Sequence, residues 1–100
     1  MSLSEQNRAS VLDRALEAVT ADRNADYGDP EDNFEDIARL WSAYYAGPDF
    51  SRTDVAVMMI LVKVARSLTS PTLEDHWTDI AGYAACAFGC ARVDADEVQR

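Results

Sequence analysis

The run VAVMMILV, Val55 to Val62, is eight apolar residues without a breaker, and apolar character resumes at Val64, Ala65 and Leu68. By pattern alone such a run is a buried strand or a buried helix, and length separates the two. About sixteen residues of sustained apolar character is too long for an ordinary strand. The segment is therefore predicted as a helix over about residues 53–68, capped by Thr53. A helix apolar on all sides belongs at the centre of a fold, with other elements surrounding it.

Its neighbours read as helices too. Val11, Leu12, Ala15, Leu16 and Val19 follow the three- and four-residue spacing of an amphipathic helix, predicted over about 5–22. Asp29 then stands as N-cap with Pro30 at the first helical position, opening a helix over 30–45 whose stripe is Phe34, Ile37, Ala38, Trp41, Tyr44 and Tyr45; Gly47 and Pro48 end it. Thr72 with Asp75 three residues later reads as a capping box for a helix over about 73–91. Trp77, Ile80, Ala81, Ala84 and Phe88 form its expected inner stripe, and residues 92–100 read as a frayed tail. Four helices on short Gly or Pro loops predict a single all-α domain, a four-helix bundle. Opposite the inner stripe lie Gly82, Tyr83, Cys86, Gly89 and Cys90, small or apolar where a surface should be charged. This second face, and the modest core that one hundred residues can bury, point to a homo-oligomer.

Charge narrows the partners. Eighteen acids stand against nine bases, for a net charge of −9, and duplex nucleic acid is disfavoured because its phosphates need clustered Lys and Arg. A small phosphorylated ligand stays compatible, since a divalent cation or two placed bases reverse a local field. No apolar window reaches the length of a membrane span, and the start MSLSEQNRAS lacks a signal-peptide layout. The expected location is cytoplasmic. Cys86 and Cys90, four apart on one helix, read as reduced packing thiols.

The residues able to carry chemistry are few. Asp75 and Asp79 share one side of the last helix, and Lys63 and Arg66 interrupt the apolar helix at i, i+3 spacing. One reading is a semi-buried ion-pair cluster that sets helix register. The other has Lys63 and Arg66 taking phosphate oxygens while the acids hold Mg²⁺. Among the acids of the helix over 30–45, Asp32 and Asp36 point away from the apolar stripe, whereas Glu31 and Glu35 run up one flank towards a cleft. Asp29 and Asp32 suit the helix N-terminus. Tyr27 and Trp41 are candidate flanks for a nucleobase. His76 has no second ligand at zinc spacing, and no glycine-rich phosphate loop is present.

The segments DYGDPEDNF, IARLWSAY, DVAVMMILVKVARS and DHWTDIAGYAACA, within residues 22 to 90, resemble a family of small proteins common in phages of actinobacteria. The same order of motifs is similar to phage domains associated with nucleotide modification and, more distantly, to the all-α nucleotide pyrophosphohydrolases typified by MazG. The MazG resemblance implies an oligomeric helical bundle that binds Mg²⁺ through Glu-x-x-Glu and Glu-x-x-Asp and cleaves a nucleoside triphosphate to monophosphate and pyrophosphate. This chain has no Glu-x-x-Glu, and Asp79 is the residue that matches. The combined expectation is a nucleotide site between the second, third and fourth helices, with Asp79, Asp75 and Glu31 as metal ligands and Lys63 and Arg66 on the phosphates. Three outcomes stay open: a MazG-like hydrolase, a phage sponge that sequesters a host immune messenger such as a cyclic nucleotide or cyclic ADP-ribose derivative in the host cytoplasm, or a structural or adaptor protein whose acids are only solvated surface.

Overall fold

A computed structural model of the chain describes residues 1–20 and 29–99, with side chains as far as residue 97. Within them are four helices and no strand: α1 (Leu3–Val19), α2 (Pro30–Tyr45), α3 (Arg52–Ser67) and α4 (Glu74–Gln99). Local chemistry sets most of their ends. Ser2 Oγ accepts from the Glu5 N–H at 3.1 Å and starts α1. Asp29 and Pro30 occupy the N-cap and first position of α2 as expected. That helix stops at Ala46, which takes a left-handed conformation (φ 57°) while its N–H still bonds to Ser42 O at 3.1 Å. Ser42 Oγ also accepts from the Phe50 N–H at 2.8 Å, tying the following loop back onto α2.

Two helix starts differ from expectation. Ser51, not Thr53, caps α3, in a reciprocal box: Asp54 N–H donates to Ser51 Oγ at 3.0 Å, and Ser51 N–H donates to the Asp54 carboxylate at 2.9 Å. At α4 the helix begins at Glu74 and the Asp75 carboxylate accepts from Arg14 of α1 instead of closing a box with Thr72. The end of α4 also moves: the helix continues through Gln99, past the expected stop at 91. Nothing in DADEVQ breaks a helix, and Asp94 is anchored by Arg52 at 2.6 Å, whose side chain is only 13% exposed.

Packing assigns the central role to α4, which contacts α1 and α3 extensively, while α2 lies mainly on α3 and touches α4. Arg52 at the start of α3 meets Asp94 late in α4, and Lys63 further along α3 meets Asp79 early in α4, so the two run antiparallel. The buried cluster is Phe34, Ala38, Val55, Ala56 and Cys90.

Two face assignments are thereby corrected. The apolar helix α3 is not surrounded within the protomer: Val55, Ala56 and Ser67 are buried, but Leu61 and Leu68 are exposed. On α4 the faces are exchanged. Cys90 is fully buried and Tyr83 and Cys86 pack on the core, whereas Trp77 and Phe88 are exposed. The small residues explain this, because they sit where other helices come close. A Cβ on Gly82 would lie 3.6 Å from Val19, and one on Gly89 would lie 3.2 Å from the Glu31 carboxylate. The face read as a dimer surface is used inside the protomer. Among the described residues, no helix is long and apolar enough to cross a membrane.

Candidate functional site

The larger cavity, about 590 Å³, opens between the C-terminal half of α1, the first turns of α2 and the first half of α4. Each helix delivers a different chemistry. From α2 and α4 come the Phe34 and Tyr83 rings, with centroids 6.0 Å apart and planes tilted by 33°. Arg14 of α1 stands at the cavity with its guanidinium on Glu74 and on Asp75, the latter at 2.6 Å. One turn further along α4, Asp79 lines the cavity and pairs with Lys63 of α3 at 3.0 Å.

Between those two acids Thr78 also lines the cavity. It is 6% exposed, and its Oγ1 is buried without a hydrogen-bond partner. Buried hydroxyls in folded proteins are nearly always satisfied, so this one is an unmet hydrogen bond in the wall of the cavity. The surrounding field is acidic, since Glu17, Asp75 and Asp79 line the same space as Arg14. The hydrogen bond to Asp75, followed by that to Glu74, raises the Arg14 pKa above its ordinary value. The Ser10 hydroxyl, then Arg14, hold the Glu74 carboxyl below its own.

The expected site residues divide. Asp75 and Asp79 reach the cavity, and Lys63 reaches its edge through Asp79. Arg66 does not: it is exposed, and its side chain has no ion pair or hydrogen bond among the described residues. Glu31 lies elsewhere, in a smaller recess with Cys86 and beside Gly89. Gly89 is ten residues beyond Asp79, about 15 Å along the helix, too far for Glu31 to share a cation with it. Among the described residues, no three carboxylate, imidazole or thiol groups come together in a set that could hold a metal ion. Asp75 and Asp79 line the cavity without Glu31 beside them. Trp41 packs edge-on against Phe50 at 6.1 Å beside the core, away from the cavity. Tyr27 lies outside the described residues.

The aromatics at the cavity are instead Phe34 and Tyr83, and the residues that sequence reasoning passed over are Arg14 and Thr78. Arg14 joins acids 60 and 61 positions away, and no local pattern carries that signal. The cysteines are free, and burial, then Glu31, push the Cys86 thiol up to about 11. Neither thiol is poised as a nucleophile, because Cys90 is raised by burial as well.

Four helices, with no strand among the described residues, around a polar-lined interhelical cavity are the class these features define. The chain belongs to the family described as Domain of unknown function (DUF6378), which it matches over residues 10–91. It is similar to the Gene 55 protein of Mycobacterium phage L5, 49% identical over 75 residues, and to the Gene 55 protein of Mycobacterium phage D29, 44% identical over 77 residues. These stretches cover 75% and 77% of this chain but 48% and 50% of the relatives, so the chain spans about half their length. No solved structure matches.

Proposed function

We propose that this is a phage-encoded small-molecule-binding protein of the host cytoplasm whose ligand is a nucleotide, captured in the cavity between α1, α2 and α4 without being turned over. The observation that carries the reading is the lining of that cavity, which sets the Phe34 and Tyr83 rings beside Arg14, Asp75 and Asp79. The cavity volume of about 590 Å³ suits a ligand of this size. Phe34 and Tyr83 offer apolar ring surface to a base, and Asp75 and Asp79 offer acceptors to ribose hydroxyls or an exocyclic amine. Lys63 and Arg14 are the cations within reach of phosphates, each now shared with a carboxylate.

Capture is favoured over MazG-like hydrolysis by the acids themselves. Activating water for attack on a triphosphate needs a cation held in fixed geometry, and Glu31 stands away from Asp75 and Asp79. The test is to incubate the protein with a panel of linear and cyclic nucleotides, with and without Mg²⁺, and to chromatograph the solution before and after heat denaturation. The expected result is one nucleotide depleted from solution and returned intact on heating, with no need for Mg²⁺. Release of monophosphate and pyrophosphate only with Mg²⁺ would replace capture by hydrolysis, and no depletion at all would remove both.

A further inference from the structure

We infer that the outer face of α3 is a self-complementary interface through which two copies of this chain associate, independently of any ligand. The protomer leaves Val57, Leu61, Val64 and Leu68 exposed to 45, 61, 41 and 79%. Their spacing of four, three and four residues places them in one row along the helix, the seam spacing of paired helices. That spacing is also the same read from either end. A two-fold axis passing between Leu61 and Val64 therefore lays the row on its own copy in antiparallel fashion, as an isologous contact requires.

Charge is arranged to permit it. From Val55 to Leu68 the only charged residues are Lys63 and Arg66. Lys63 is turned inward onto Asp79, and Arg66, three positions on, lies on that same side, opposite the apolar row. A chain of net charge −9 thus presents to its copy a helix row whose own residues carry no acid beyond Asp54. An all-round apolar helix is stable in water only when covered on all sides, and α4 and α2 cover one side of α3.

The area supports a second copy as the cover. A folded monomer of 11.1 kDa is expected to expose about 5,700 Å², whereas this protomer exposes 7115 Å². The excess is a property of the whole protomer, which buries less surface than its mass predicts for a monomer, and the exposed row on α3 is part of it.

Sedimentation velocity of the whole chain at low micromolar concentration tests this, with helix content followed by circular dichroism. The native chain is expected at the mass of two copies of 11.1 kDa. Leu61→Glu is expected to weaken association about a hundredfold or more, since it buries an unpaired charge at the seam. Leu68→Glu, at a site 79% exposed in the protomer, repeats the test without touching the core. Tyr44→Glu, at a site 94% exposed on α2, is expected to stay dimeric. A native chain that sediments as one copy overturns the inference, as does a dimer that survives both leucine variants or is split by Tyr44→Glu.

Discussion

Replacing Thr78 by valine keeps the branched shape of the side chain and exchanges its hydroxyl for a methyl group. In the folded protein that hydroxyl is buried with no partner, and an unsatisfied group of this kind costs about 1–3 kcal/mol. The variant should therefore be more stable than the native chain by about 1–2 kcal/mol in the absence of ligand. For a chain of 100 residues, each kcal/mol corresponds to about 5 °C in Tm, so the melt should move up by about 5–10 °C. Binding should move the other way. If the hydroxyl serves the ligand, its loss removes one neutral hydrogen bond and weakens capture roughly two- to tenfold. Thermal melts with and without nucleotide, together with the depletion assay, read both effects. A lower Tm for Thr78→Val would refute the reasoning at its first step, because the hydroxyl would then have a partner in the fold. A higher Tm with unchanged capture would refute the second step and place the ligand elsewhere.

Other perturbations test the rest of the frame. Asp79→Asn leaves Lys63 without its carboxylate; with the two side chains 40 and 21% exposed, the pair is partly screened, and urea titration should show a loss near ~1 kcal/mol, not the several expected of a fully buried pair. Ending the chain after Ala91 deprives Arg52 of Asp94 and should cost about 1–3 kcal/mol in the same titration, whereas a frayed tail would cost nothing. Cys86 should resist alkylation at neutral pH, with the rate rising only as pH approaches about 11. The thiol's pKa is raised in the folded state above its ordinary 9.0, so the folded form holds that proton longer than the unfolded one. Stability tied to Cys86 is therefore present below pH 9 and lost as pH climbs towards 11; a rate matching that of an exposed thiol at pH 8 would contradict its burial.

Much of the helical layout was legible because its signals are local. Asp29 with Pro30 opens α2, the length of the apolar stretch separates helix from strand at Val55 to Leu68, and Gly47 with Pro48 closes the segment after Ala46. The errors have two sources, a local signal passed over at the start of α3 and an ambiguity between faces on α4. Ser51 and Thr53 are both capping residues, and only Ser51 has Asp54 at the distance that closes the box. From residue 80 to 91 both faces of α4 are uncharged, so periodicity could not say whether Phe88 or Cys90 points inward. Small residues at Gly82 and Gly89 gave the answer through the closeness of α1 and α2, which is a property of the assembled helices.

The candidate site follows the same division. Asp75 and Asp79 share a face because helix geometry fixes the direction of residues four apart, and an acid beside an apolar face needs a cation. Sequence alone therefore determined that Lys63 or Arg66 would meet one of them. Tertiary structure decided that it is Lys63 that reaches Asp79, that Arg14 comes from α1 to Asp75, and that Glu31 lies against Gly89, ten residues along α4 from Asp79. It also decided that Thr78 would be buried beside a cavity with its hydroxyl unanswered. The physical reason is common to all of these. The pitch of a helix is set by its own backbone hydrogen bonds, so the sequence fixes which residues share a face. Which face is covered depends on how closely other helices approach, and that is settled only when all four pack at once.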